Sequence, residues 1–133
     1  MTQTHRFKID KLIRDKLPEI MRASGIRVVE HILEKDDYVK RLKDKLLEEA
    51  KEVIESKSET EICEELADLL EVIRALLKVY AIDFEHINHT AQKKREEKGG
   101  FDNRIYTEFV DIEADNPSLN YYKKQPDKYP EIK

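Results

Sequence analysis

Two stretches of helical period follow one another in the middle of the chain, and each aims a pair of acids into its own apolar stripe. At 100° per residue, Tyr38, Val39, Leu42, Leu46, Ala50, Val53 and Ile54 share one arc of a segment running from Asp36 or Asp37 to about Ser56. Glu49 falls inside that arc and Glu52 at its edge, whereas Glu48 points away. The segment from Ser58 or Glu59 to about Tyr80 repeats the pattern. Ile62, Leu66, Leu69, Val72, Ile73, Leu76 and Tyr80 form its arc, with Glu65 inside, Asp68 at the edge and Glu64 turned outward. The joint at Ser56 to Ser58 is short enough to make the two helices antiparallel neighbours, so the four inward acids are expected to converge.

Four carboxylates between two helices repel one another and lose hydration worth several kcal/mol per ion, on the order seen for buried charges, unless a cation neutralises them. Glu49, Glu52, Glu65 and Asp68 are therefore candidate ligands of a divalent metal. An all-oxygen set suits magnesium, with manganese as the alternative. The competing reading is that Glu-rich helices leave acids at arc edges by chance, paired with nearby lysines. A metal held this way typically clamps phosphate oxygens and activates water, which points to phosphoryl chemistry. There is no Gly-rich loop followed by Lys-Ser or Lys-Thr, so phosphate charge must be met by metal and side chains. On a third helical segment, from Asp83 to about Lys98, the face carrying Phe84, Ile87 and Ala91 continues into Lys94, Arg95 and Lys98. These three are phosphate-binding candidates, although cations near a helix C-terminus are also favoured by its dipole. His86 and His89 lack a third ligand nearby and read as surface residues. Cys63 has no evident activating base and reads as an inert thiol.

The remainder of the chain sets the frame. A short helix is expected from about Leu17 to Ser24, with Pro18 in its first turn and Gly25 after it. Arg27 to Leu33 and Arg104 to Ile112 are rich in β-branched and aromatic residues and are candidates for a two-stranded β ribbon. The expected fold is mainly α: a small antiparallel bundle of three long helices plus the short N-terminal one. One domain over residues 1–112 is followed by an irregular tail, 113–133, whose Tyr121, Tyr122 and Tyr129 could dock on the bundle. Charged residues make up 41% of 133 and the net charge is −4, which provides no basic field for duplex nucleic acid. A single cysteine suits a reducing compartment, and no stretch approaches the ~20 apolar residues that span a bilayer, so a cytoplasmic protein without a membrane partner is expected.

Glu48-Glu49-Ala50-Lys51-Glu52 followed by Glu65-Leu66-Ala67-Asp68 resembles the EExxE and ExxD motifs of MazG-like all-α nucleoside triphosphate pyrophosphohydrolases. The opening Lys11-Leu12-Ile13-Arg14-Asp15-Lys16-Leu17-Pro18 and the later Lys98-Gly99-Gly100-Phe101 resemble a phosphoribosyl-ATP pyrophosphohydrolase-like subgroup. The resemblance implies a helical fold, magnesium dependence, a homodimer or homotetramer, and cleavage between the α- and β-phosphates of a nucleotide to give a monophosphate and pyrophosphate. Carried over by position, it implies the same four metal ligands, Glu49, Glu52, Glu65 and Asp68, and leaves the role of Glu48 open. Glu49 or Glu52 could double as the general base, and Arg14 and Lys16 become further phosphate-binding candidates. Three functions stay in view: a house-cleaning nucleotide pyrophosphohydrolase, a phosphoribosyl-ATP hydrolase of histidine biosynthesis, and a non-catalytic helical interaction module.

Overall fold

In the computed structural model, which describes residues 2–133, the periodic segments become α1 (Leu17–Ala23), α2 (Lys35–Glu55), α3 (Glu59–Val79) and α4 (Phe84–Lys98), followed by a short α5 (Leu119–Lys123). The chain divides into two compact units, one ending at Lys93 and the other running Lys94–Lys133.

The helix ends follow local chemistry. α1 starts on Leu17-Pro18, where a missing N–H is harmless, and Pro18 is buried. It stops in a Schellman arrangement: Ile26 N–H donates to Met21 O at 3.1 Å, Gly25 N–H to Arg22 O at 3.0 Å, and Gly25 takes the left-handed φ of 84°. α2 starts at Lys35, one residue before the earlier of the two expected starts, and its N-cap Glu34 makes no side-chain cap. α3 is better fixed. Ser58 Oγ accepts from Glu61 N–H at 3.1 Å, while the Glu61 carboxylate accepts from Lys57 N–H at 2.8 Å. At its far end Ile82 N–H reaches Leu77 O at 2.9 Å and Ala81 N–H reaches Lys78 O at 3.2 Å. Here the left-handed position falls on Ala81, φ 54°, with no glycine to relieve it. α4 begins with the Asp83 carboxylate accepting from Glu85 N–H at 3.2 Å.

α2 and α3 pack against each other and carry the core of the first unit. On these two helices Leu42 and Val72 are the buried apolar side chains, and Glu49 is buried with them at 6% exposure. The rest of the apolar arcs is only partly covered. Ile54 is 82% exposed, and Ile62, Leu66 and Tyr80 are exposed too, because one helix partner shields one side of an arc and leaves the other side open.

The β ribbon expected from Arg27–Leu33 and Arg104–Ile112 is not present: among the described residues there is no strand. Val29 and Ile32 in the first segment, and Ile105 and Tyr106 in the second, are strongly exposed. β-branched composition favours a pleated surface only when a neighbour supplies packing and ladder hydrogen bonds, and neither segment has one. In the second unit, the tail holds one helix turn more than expected. Tyr121, Tyr122 and Tyr129 gather there, with ring centroids 5.0 to 6.0 Å apart. No helix among the described residues is long and apolar enough to cross a membrane.

Candidate metal centre

The antiparallel packing of α2 on α3 brings the two i, i+3 acid pairs face to face. One carboxylate oxygen from each of Glu49, Glu52, Glu65 and Asp68 lies within 4.8 Å of the other three. That spread is comparable with the roughly 4.2 Å between opposite oxygens around a magnesium ion at 2.1 Å bond lengths. Glu49 is buried and the other three are half-buried. An open polar hollow of about 270 Å³, lined by Glu52, Glu55, Ser56, Glu61 and Glu65, adjoins the cluster.

Two oxygens at the centre have no hydrogen-bond partner although solvent does not reach them: Glu49 Oε2 and Glu65 Oε2. Buried acceptors are normally satisfied, so this pair of orphans on facing helices fits a site that could take a cation. The electrostatics agree. The Glu65 carboxyl is pushed up to about 7, first by sharing a hydrogen bond with the facing Glu52 carboxyl, then by burial and by the charges of Glu52, Asp68 and Glu49. Burial raises Glu49 above the ordinary carboxylate range, helped by Glu52 and opposed by Lys45. Glu65 and Glu49 therefore hold protons more readily than free carboxylates do, and a hard divalent cation would displace those protons, which this all-oxygen donor set fits.

Of the phosphate-binding candidates, Arg14 is seen at the acids. Arg14 Nη2 donates to Asp68 Oδ1 at 2.7 Å, which places this phosphate-binding candidate at the cluster. Lys16 stands exposed at the N-cap of α1. Lys94, Arg95 and Lys98 lie exposed on the last turns of α4 and belong to the second unit. His86 and His89 are exposed on α4 and Cys63 is exposed on α3, none of them part of the acid cluster.

Lys11 and Lys45 were missed by the motif reading. Lys11 Nζ donates to Glu48 Oε1 at 2.6 Å, and Lys45 Nζ lies 3.2 Å from Glu48 Oε2 and 3.7 Å from Glu49 Oε1. Lys45 could have been found from its i, i+3 and i, i+4 spacing to the two glutamates. Lys11 carries a weaker sign, its place three residues before Arg14.

A family model for phosphoribosyl-ATP pyrophosphohydrolase matches residues 11–95, which include the whole N-terminal motif, both acid pairs and most of α4. The chain belongs to this family. It is thus a pyrophosphohydrolase, a hydrolase of phosphoanhydride bonds, and the non-catalytic module is set aside. No curated protein and no solved structure matched the chain. In this pyrophosphohydrolase the acid cluster falls wholly inside the matched segment, and the tyrosine-bearing tail falls outside it.

Proposed function

We propose that this pyrophosphohydrolase cleaves the α–β phosphoanhydride of a nucleoside triphosphate in a magnesium-dependent reaction, releasing a monophosphate and pyrophosphate, in a house-cleaning role. The observation that carries this reading is the pair of orphaned, solvent-shielded oxygens, Glu49 Oε2 and Glu65 Oε2, within a four-carboxylate cluster. Glu49, Glu52, Glu65 and Asp68 would hold the cation, with manganese able to replace magnesium. When bound, such a cation supplies Lewis-acid polarisation of phosphate oxygens and a more acidic water.

The chain's own groups do the rest. Glu49 or Glu52 would take the proton of the attacking water on a carboxylate oxygen. Arg14 and Lys16 are proposed to meet phosphate charge; Lys94, Arg95 and Lys98 are separate phosphate-binding candidates, and each of the five is tested as a single alanine variant. No covalent intermediate is needed, since water attacks phosphorus directly. The exposed Ile54, Ile62, Leu66 and Tyr80 support assembly as a homodimer or homotetramer, because apolar side chains left uncovered on a helix pair are commonly covered by another subunit.

A second reading, hydrolysis of phosphoribosyl-ATP in histidine biosynthesis, is favoured by the description of the matching family. Pyrophosphate release from a nucleoside triphosphate panel and from phosphoribosyl-ATP, with and without magnesium, separates the two. The reading requires release that depends on magnesium and is lost in folded Glu49→Ala and Asp68→Ala variants; release that persists in both variants overturns the site.

A further inference from the structure

Glu48, the chain neighbour of Glu49, stands outside the group of four converging acids and differs from it in its partners. Both of its oxygens are already taken: Oε1 accepts from Lys11 Nζ at 2.6 Å and Oε2 lies 3.2 Å from Lys45 Nζ. Glu49 and Glu65, by contrast, each keep an unpartnered oxygen. Hydrogen bonding from Lys11, and then Lys45, holds the Glu48 carboxyl below the ordinary range, the reverse of its neighbour Glu49. A carboxylate engaged at both oxygens by ammonium groups is already charge-balanced and is the poorer candidate for a metal, and it lies outside the group of four acids whose oxygens converge.

Its two lysines are not equivalent. Lys45 belongs to the same helix, is 20% exposed, and spans Glu48 and Glu49. Lys11 comes from the segment before α1 and its side chain is 49% exposed, so the ammonium faces both Glu48 and solvent. Glu52 and Glu49 act on that ammonium as well, which places it in the field of the acid cluster. Once a cation balances the four acids, an arriving polyphosphate brings new negative charge, and Lys11 is the half-exposed ammonium already fastened beside the site.

Resting on the metal-centre reading above, we propose that Glu48 is a positioning residue that holds Lys11 beside the acid cluster, where the lysine meets a phosphate oxygen of the metal-bound substrate. Glu48 orients; Lys11 touches the ligand. A lysine ammonium suits this task because its three donors turn freely and can serve carboxylate and phosphate together.

The test uses the full chain, magnesium alone and magnesium pyrophosphate. Trace acetylation, read by mass spectrometry, reports the reactivity of Lys11 against exposed Lys8 as an internal reference. Magnesium pyrophosphate is expected to protect Lys11 but not Lys8 in the wild type, and to protect it less in Glu48→Gln. Calorimetry with magnesium alone should leave the affinity of Glu48→Gln within about threefold of wild type, as for a charge outside the coordination sphere, while Glu49→Gln loses binding. On the most active nucleotide, Glu48→Gln and Lys11→Ala should each raise KM about tenfold with kcat little changed, as for the loss of one charge-assisted contact made equally in ground and transition states. The double variant should be no worse than Lys11→Ala, and Lys11→Arg should retain most of the binding.

Loss of magnesium binding in Glu48→Gln to the extent seen in Glu49→Gln makes Glu48 a ligand and overturns the proposal. So does labelling of Lys11 that is indifferent to magnesium pyrophosphate, which would leave the Lys11–Glu48 pair as a structural tie. A wild type that binds no magnesium refutes the metal-centre reading by itself, and protection of Lys11 by pyrophosphate, present or absent, still decides the lysine's role.

Discussion

Arg14 and Asp68 form an ion pair at 2.7 Å, so a guanidinium from the segment before α1 rests on one of the four acids that α2 and α3 bring together. The two residues are 54 positions apart in the chain. An arginine in this place competes with a metal for the same carboxylate.

Replacing Arg14 by alanine is therefore expected to tighten magnesium binding to the nucleotide-free protein by roughly two- to fivefold, the scale of one partly screened charge. The side chains of the pair are 60% and 39% exposed, so the same variant should change folding stability by less than ~1 kcal/mol. Magnesium calorimetry and a denaturant melt read the two effects. Unchanged or weaker magnesium binding would show that Asp68 and Arg14 are not in competition.

The raised carboxyls of Glu65 and Glu49 add a pH dependence to the metal-free protein. Glu65 holds its proton up to about 7 in the folded chain but loses it near the ordinary value of 4.5 when unfolded. Between these values the folded state binds more protons, so its stability falls as pH rises, and the contribution of Glu65 is gone once pH passes about 7. Glu49 acts in the same direction. With magnesium present the sign reverses for the ligand, since coordination needs the deprotonated acids. Thermal melts at pH 5.5 to 8.5 should show the magnesium-induced rise in Tm growing through pH ~7 as deprotonation frees the site. A rise in Tm that is flat across this range would count against the cluster as the binding site.

Glu49→Gln removes a charge that is buried without a full complement of partners. At pH 8 without metal, this variant should be more stable than the wild type by about 1 to 2 kcal/mol, the usual scale for relieving an ill-satisfied buried group. It should at the same time lose the stabilisation by magnesium, which amounts to about 2.7 kcal/mol for a ligand at a hundred times its Kd. Urea titrations with magnesium and with chelator give both numbers. A Glu49→Gln protein that is destabilised without metal would mean that Lys45 already satisfies the carboxylate.

Ala81 occupies the left-handed turn after α3 at φ 54°, where Gly25 serves the same purpose after α1. Relief of that backbone strain outweighs the extra chain entropy of glycine, and Ala81→Gly should stabilise the first unit by up to about 1 kcal/mol. The change touches no residue of the acid cluster, so magnesium affinity should stay constant. A melt in which Ala81→Gly lowers Tm would refute the strain.

Helix existence and most helix ends could be read from the chain alone because their causes are local. The 3.6 period of Leu42, Leu46 and Ala50 and of Leu69, Val72 and Leu76, the cap at Ser58, and the stop at Gly25 all act within a turn or two of backbone. The same projection put Glu49 and Glu65 on inward faces, and the short joint at Ser56 to Ser58 turned those faces toward each other. What failed was non-local. The β ribbon needed a partner for each extended segment, and among the described residues there is no strand. Ile54 and Leu66 read as core from their arcs but stay exposed, since an arc says which residues share a side, never how much of that side a neighbour covers.

The sequence by itself determined four helices, their antiparallel central pair, and the gathering of Glu49, Glu52, Glu65 and Asp68, because periodicity and joint length are properties of short stretches. Only the tertiary structure decided that Arg14 rests on Asp68, that Lys11 is held by Glu48 from 37 residues away, and that Glu49 Oε2 and Glu65 Oε2 are left shielded and unpartnered. Those facts depend on where separate segments come to lie in space, and the burial that orphans an oxygen or lifts a carboxyl exists only once both helices are packed.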